Sequence, residues 1–577
     1  MPRGFEISGA APGDLDEMKP PTSSLPRAFA PLLVLLLLAT ICFAQTPDAQ
    51  STADGSIPHD RAEKVDEVRT LENRLNEVLH EVNASIEKAL FWDVAFGTLR
   101  GPKLDEQDEP LTDESGQAVM EGPKIPFLVA FLAFGAIFFT FWHGWINIRA
   151  FRHAIDVVRG RYDDPADTGE VTHFRALTSA LSATVGLGNI AGVAIAVRTG
   201  GPGAVFWMMF LSLFGMTMKF HECTIAQIFR RRNADGSISG GPMFYLHDGL
   251  RQINGGMGIF GKVLAVIFAL MCMGGALGGG NMFQANQSFE AFASAFEIDT
   301  ASNPWPARGF GIMMALLVGA VILGGIKRIG AVTGTIVPVM CGIYVVASVV
   351  IIAMNIGELP HVLGLIISSA FAPGAAFGGF VGVMVIGFTR AAFSNEAGLG
   401  SASIAHAAAK TEEPVREGIV ALLEPFIDTI VICALTATVV IITGAYLSAP
   451  DGTNGAAVTM HAFRQLPVIG RWFPFVLSAC IVLFAYSTMI SWCYYGERAW
   501  SSLFGHRTVV IFRIVFVLCV FVGSVTTLKE VLGFSDFMIL CMAFPNILGC
   551  LILSRLVKSR TQDYWGRYRS GQLKRLH

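Results

Sequence analysis

The run Ala183-Thr184-Val185-Gly186-Leu187-Gly188-Asn189-Ile190-Ala191-Gly192 places three glycines and an amide inside an apolar segment long enough to cross a bilayer. A helix in hydrocarbon has no water to satisfy its backbone N–H and C=O groups, so such a weak point survives only where protein or a ligand supplies partners. The run predicts a broken helix that holds something small. A second run, Ser394-Asn395-Glu396-Ala397-Gly398-Leu399-Gly400-Ser401, repeats the Gly-Leu-Gly core much later in the chain. Paired breaks near mid-membrane are where membrane carriers place substrate and ions. A glycine-rich packing seam accounts for one such run better than for two.

Composition sets the class. Of 577 residues 53% are hydrophobic and only 15% charged, which exceeds the apolar share of a water-soluble domain and predicts an all-α polytopic membrane protein. The net charge of -3 is not gathered into a basic arm or patch, so nucleic-acid binding has no electrostatic footprint. Ten cysteines occur without a CxxC or a Cys/His cluster, which reads as packing rather than as a metal site or a disulfide framework. Enzymatic motifs are missing as well. His221-Glu222 lacks the second His of a metalloprotease helix, and no Gly-rich loop ends in Lys-Ser or Lys-Thr.

Arg3, Lys19 and Arg27 precede the apolar run Ala28 to Phe43, and Cys42-Phe43-Ala44 offers small residues before Gln45, so 1–44 reads as a signal peptide, with an uncleaved signal anchor as the alternative. Residues 45–124 are then expected outside. Val65, Val68, Leu71, Leu75, Val78, Leu79 and Val82 predict an amphipathic helix within 61–90, and the acidic, Gly/Pro-bearing stretch 101–122 predicts a loop. Eleven spans are expected: 125–148, 174–198, 203–229, 260–291, 309–326, 333–355, 376–408, 416–446, 472–500, 508–528 and 534–556. Basic residues gather in alternate loops, at Arg149, Arg152, Arg159 and Arg161, at Arg230 to Arg232, at Lys327 and Arg328, and in the tail 557–577. By the positive-inside rule the mature N-terminus faces outward and the tail is cytoplasmic, in a bacterial inner membrane. Setting aside the extra helix 125–148 leaves two sets of five, 174–355 and 376–556, each opening with a break. Five is odd, so the second set enters from the opposite side, an inverted repeat.

Five strings carry a specific likeness: Gly186-Leu187-Gly188-Asn189-Ile190-Ala191-Gly192-Val193, Gly200-Gly201-Pro202-Gly203-Ala204-Val205-Phe206-Trp207, Gly240-Gly241-Pro242-Met243, Phe393-Ser394-Asn395-Glu396-Ala397-Gly398-Leu399-Gly400-Ser401-Ala402 and Phe484-Ala485-Tyr486-Ser487-Thr488. Over about 125–560 the chain resembles the alanine/glycine:cation symporter family. That resemblance implies a LeuT-type 5+5 inverted repeat preceded by one extra helix, and uptake of a small amino acid such as alanine or glycine coupled to a co-transported sodium ion. Leu187 stands where the family commonly has Thr, which leaves backbone rather than hydroxyl contact at that position. The segment before Ile125 is additional to the family pattern.

An amino-acid zwitterion needs donors for its carboxylate and acceptors for its ammonium without either charge being stranded in low dielectric. Backbone N–H groups around Gly186, Leu187, Gly188 and Asn189 would meet the carboxylate, and carbonyls around Phe393, Ser394 and Asn395 would meet the ammonium. The resemblance adds Gln284 as a substrate contact, with Phe393 and Trp492 as pocket walls. It also places sodium among Ser182, Val185, Phe484, Ser487 and Thr488, whose uncharged oxygens suit a monovalent ion that must leave again. Charged residues within spans are functional suspects. Lys219 with Glu222, and Glu424 with Asp428, read as structural pairs or gates, and Glu396 as a helix-end partner, gate or proton carrier. The expected partners are the substrate and the lipid bilayer, and the assembly, a monomer or otherwise, is left open by the sequence. Two other readings stay open from sequence: proton coupling, and a transporter-like sensor or channel.

Overall fold

The structure, a computed structural model, describes residues 73–84, 93–94, 101–102, 120–121 and 124–573, apart from 234–235, 299, 301–302, 324, 372–378, 451–452, 454 and 466–472. The expected signal peptide 1–44 and most of 45–123 lie outside the described residues. The described chain is a helical bundle whose strands are limited to two short pairs, Gly101–Pro102 with Met120–Glu121 and Arg231–Arg232 with Ile238–Ser239. The first pair closes the base of the acidic stretch read from sequence as a plain loop.

Among the described residues eight helices are long and apolar enough to cross a bilayer, and one bent pair makes a ninth. The expected count of eleven is therefore not reached by this measure. The leading helix Phe127–Trp142 has 16 residues, and the helices Gly379–Asn395 and Ala402–His406 are divided by a break, so neither stretch qualifies alone. Apolar side chains such as Leu316, Val346 and Ile343 point outward from the bundle, as a lipid-facing surface requires.

The bent pair is the first broken span. His173–Thr184 begins at Thr172, whose hydroxyl accepts from the Arg175 amide, and the chain resumes as a π turn, Gly188–Gly192, followed by Val193–Gly200. The two halves meet at 52°. Glycine is needed at position 186 because a Cβ there would lie 2.4 Å from Thr488 Oγ1. The second break follows Asn395, where Glu396, Gly398 and Gly400 all take positive φ (56°, 88° and 81°). That left-handed backbone is open to glycine and strained for Glu396.

Two flanking pieces are tied to the bundle. In helix 73–84, Asn76 Oδ1 accepts from both the amide (3.0 Å) and the hydroxyl (3.2 Å) of Thr527, which begins the last span Leu528–Ile552. Asn83 adds a hydrogen bond to the Glu530 carbonyl at 3.0 Å. At the other end, residues read as a basic tail form the helix Ser554–Arg569. Val557, Thr561 and Tyr564 recur at helical spacing on its buried face, Tyr564 pairs with His153 at 2.7 Å, and Arg567 grips Glu413 at 2.6 and 2.9 Å.

The Asn76 contact yields a direct expectation. Asn76→Ala removes a cap worth about 1 kcal/mol, so the Thr527 amide should exchange about five-fold faster in a hydrogen-exchange measurement.

Candidate functional site

The two breaks meet. Asn189, in the first, has its side-chain nitrogen 3.1 Å from Ser394 Oγ at the edge of the second and 2.6 Å from Asp428 Oδ1. Ser394 in turn donates to Asp428 Oδ2 at 2.7 Å, as does Thr429 Oγ1 at the same distance. Asp428 sits in a π-helical stretch, Phe426–Cys433, of the span Pro414–Ile442. All these residues are fully buried, so the carboxylate depends on its three side-chain donors. Asn395 serves the same joint from behind. It donates to Ser212 Oγ (2.7 Å) and Thr429 Oγ1 (3.0 Å), and its carbonyl oxygen accepts from the Ala397 amide (3.0 Å).

Inside the first break the backbone has left its ladder. The Gly186 amide donates to Asn189 Oδ1 (2.9 Å) and the Leu187 amide to Gln284 Oε1 (3.1 Å), so neither closes the helical bond to the carbonyls of Ser182 and Ala183. Gln284 follows a third irregular stretch, the π turn Gly278–Met282, and donates back to the Gly279 carbonyl at 2.9 Å. Phe393 and Trp492 both pack on that turn. The Phe393 ring lies edge-on to Phe283 at 5.1 Å, and a Cβ on Gly280 would come 2.3 Å from Trp492 Cγ. Phe393 also borders the first break, since a Cβ on Gly188 would touch its ring at 3.4 Å and the Ser394 Cα at the same distance.

Beside this lies a cluster of uncharged oxygens. Thr488 Oγ1 donates to the Ser182 carbonyl (3.0 Å), Ser182 Oγ donates to the Ser487 carbonyl (2.8 Å), and Ser491 Oγ donates to Ser182 Oγ (2.9 Å). The Ser487 hydroxyl bonds back to the Phe484 carbonyl at 3.0 Å instead of reaching across. This is the common fate of a serine three residues past a helical carbonyl. Ser487 therefore offers main-chain oxygen here, Thr488 a hydroxyl, and Ser182 both, while the Phe484 carbonyl is engaged by the Ser487 hydroxyl. Val185 adjoins the cluster, and its amide bonds to the Leu181 carbonyl at 2.7 Å.

The charged suspects form one buried chain that differs from the expected pairing. Lys219 Nζ is nearest Glu424 (3.2 Å), with Glu222 at 3.9 Å and the Glu396 carbonyl at 3.4 Å. Glu424 therefore parts from Asp428, which serves the joint. Beyond Glu424 the chain continues through His406 to Glu417 (2.5 Å from His406) and on to His173, with Asp163 at 3.9 Å from His173. Glu222 holds the second break open. Its Oε2 accepts from the Gly400 amide (3.1 Å) and from Asn546, which also donates to the Gly398 carbonyl (2.8 Å). The Glu396 carboxylate accepts from Ser401.

The sequence-read residues thus gather in two adjacent groups, Asn189, Gln284, Phe393, Ser394 and Trp492 about the breaks, and Ser182, Ser487 and Thr488 in the oxygen cluster. Sequence reasoning missed Ser491, whose spacing from Ser487 and Thr488 was a usable signal. It also missed Cys433, with its sulfur 3.3 Å from the Asn189 amide nitrogen. His173, His406 and Glu417 gave no signal, since His173 lies 244 residues from Glu417 and His406 lies 11 residues from it, neither a spacing at which side chains meet along one helix.

A membrane-embedded bundle whose interrupted helices join at a polar centre defines a carrier rather than an enzyme. The profile of the Sodium:alanine symporter family matches residues 113–577. The chain belongs to that family. The sodium/alanine symporter AgcS of Methanococcus maripaludis is 41% identical over 442 residues, covering 76% of this chain and 94% of that protein. The probable sodium/glutamine symporter GlnT of Bacillus subtilis is 31% identical, covering 77% and 89%. The putative sodium/proton-dependent alanine carrier YrbD of Bacillus subtilis is 34% identical, covering 72% and 85%. The crystal structure of MhsT in complex with L-phenylalanine aligns at 14% identity and a TM-score of 0.46, covering 67% of this chain and 98% of that one. The protein is accordingly a multi-pass membrane transporter.

Gly186 is one of the tight points of the site, with Thr488 Oγ1 2.4 Å from where a Cβ would lie. Gly186→Ala should abolish transport, with uptake down at least about tenfold, while yield and membrane insertion stay near wild type, measured as initial uptake per milligram of reconstituted protein.

Proposed function

We propose that the protein takes up a small amino acid, alanine or glycine, together with sodium by alternating access. The observation that carries this reading is the position of Gly186 between two acceptor groups. A Cβ there would meet Thr488 Oγ1 at 2.4 Å on one side and Gln284 Oε1 at 3.1 Å on the other. Only the width of a glycine separates the oxygen cluster suited to a monovalent cation from the amide oxygen that now occupies the Leu187 N–H. A substrate carboxylate takes over that N–H from Gln284, which places its negative charge beside the cation. The ammonium meets main-chain carbonyls near Phe393 and Ser394, within reach of the Asp428 charge. Phe393 and Trp492, packed on the Gly278–Met282 turn, would wall the side-chain end of the site and favour a small group. The similarity to a sodium/alanine symporter and to a putative sodium/proton-dependent alanine carrier supports the same reading.

The energetics suffice. Moving one positive charge through roughly 100 mV yields about 2.3 kcal/mol, and a tenfold ion gradient adds about 1.4. One sodium ion supports roughly five-hundred-fold accumulation of a neutral zwitterion. Coupling requires only that bound sodium favour the Gly186 to Asn189 geometry that also receives the carboxylate.

In proteoliposomes, labelled alanine uptake is expected to need an inward sodium gradient. Thr488→Val, which removes one oxygen of the cluster and keeps its bulk, should raise the half-saturating sodium concentration about tenfold. Sodium-independent uptake, or an unchanged half-saturation in Thr488→Val, would contradict the assignment.

A second reading, proton coupling, is favoured by one observation: the chain Asp163, His173, Glu417, His406, Glu424, Lys219 runs from a partly exposed carboxylate to the carbonyl of Glu396. Uptake that persists without sodium under an imposed pH gradient, and is lost in Glu417→Gln, would establish it in place of sodium coupling.

A further inference from the structure

Where the leading helix Phe127–Trp142 ends, a cavity of about 520 Å3 opens between the chain from Phe141 to Arg149 and the helix Ser554–Arg569. Arg149, Lys558 and Arg569 line it together with His143 and Trp565, and no carboxylate is among its lining residues. It continues into an apolar groove of about 450 Å3 along the outer face of the leading helix, walled by Phe134, Ile137, Phe138 and Phe141. Trp142 and Lys558 belong to both, with the Lys558 ammonium 4.0 Å above the Trp142 ring. A cationic pocket opening into a greasy furrow matches the two ends of an anionic lipid.

Among the described residues two buried polar atoms in the cavity wall have no partner, His143 Nδ1 and Trp565 Nε1. Burial of an unpaired polar atom is unfavourable, so they argue for a ligand of complementary chemistry. Their roles follow from their neighbours. His221 Nε2 lies 3.2 Å from the Cys550 carbonyl, which can only accept, so His221 carries its proton there and presents a lone pair at Nδ1. His143 Nε2, 2.9 Å from that lone pair, must then donate. Neutral His143 is left with a bare acceptor at Nδ1, and it is only 7% exposed. The Trp565 indole is a donor and nothing else. The wall thus asks for one hydroxyl and one anionic oxygen.

We propose that this cavity and groove bind one anionic glycerophospholipid of the phosphatidylglycerol class. The phosphate sits among Arg149, Lys558 and Arg569 and accepts from Trp565 Nε1. A glycerol hydroxyl donates to His143 Nδ1, and an acyl chain lies along Phe134, Ile137, Phe138 and Phe141. Zwitterionic phosphatidylethanolamine and phosphatidylcholine place a cation where the pocket is already cationic, so they are rejected. Because the cavity joins the leading helix to the C-terminal helix, the lipid fastens two elements that flank the transport core.

The test is a native mass spectrometry titration of the full-length, delipidated protein in detergent with phosphatidylglycerol, phosphatidylethanolamine and phosphatidylcholine, with inorganic phosphate and glycerol 3-phosphate as competitors. Phosphatidylglycerol is expected to bind at least about tenfold tighter than either zwitterionic lipid. Each of Lys558→Gln and Arg569→Gln should weaken it about five-fold, one surface charge each. Trp565→Phe, which keeps a ring and removes the N–H, should weaken it by a similar factor. Arg560→Gln, an exposed charge on the same helix outside the cavity, should leave it unchanged. Uptake by the variants checks that they fold. Equal binding of the zwitterionic lipids, an equal loss in Arg560→Gln, or full displacement by inorganic phosphate at matched concentration would each overturn the proposal.

Discussion

The buried carboxylate of Asp428 is the interaction on which the rest of the structure depends. It collects hydrogen bonds from Asn189 in the first break, Ser394 in the second and Thr429 beside it. A lone charge in this setting would be prohibitively costly, and three donors aimed at it make it a clasp. The clasp holds two helix interruptions edge to edge where each alone would tend to re-close into a continuous helix. With the interruptions held open, the amides of Gly186 and Leu187 and the carbonyls of Ser182 and Ala183 are released from the helical ladder and become available for chemistry.

The surroundings follow from that release. Freed donors are occupied by Asn189 Oδ1 and Gln284 Oε1, and the Ser182 carbonyl by Thr488. These side chains are exchangeable partners, each able to yield to a ligand atom at modest net cost because one hydrogen bond replaces another. The second break is kept open by separate means, with Glu222 and Asn546 pinning Gly398 and Gly400 and Lys219 balancing the nearby carboxylates. The two breaks are thus held by supports of different chemistry, a carboxylate clasp at the first and a Glu222–Asn546 pair at the second.

Much of this was legible in the sequence because glycine and membrane length are local signals. The run Gly186 to Gly192 and the run Glu396 to Ser401 announced both breaks, and the resemblance led to Gln284, Phe393, Trp492, Ser182 and Thr488. The pairings were not legible. Lys219 and Glu222 stand one turn apart and suggested each other, yet Glu424 lies closer because the span Pro414–Ile442 packs against that face. Glu424 and Asp428 share a spacing that implies a shared role, but the π-helical stretch from Phe426 begins between them and they take different partners, Lys219 and His406 for Glu424 and Asn189, Ser394 and Thr429 for Asp428. The link from His173 to Glu417 joins residues 244 apart, and that from Glu417 to His406 residues 11 apart, and neither is a separation from which a contact could be read. The tail 557–577 looked merely basic until Val557, Thr561 and Tyr564 were seen to share a buried face.

The most direct measurement of the central claim is a double-mutant cycle between Asn189→Ala and Asp428→Ala, read as unfolding free energy of the reconstituted protein. A clasp joining the two breaks gives a coupling of about 1–3 kcal/mol between these positions. Additive effects, with a coupling near zero, would mean that Asp428 does not hold the first break and that the clasp does not exist.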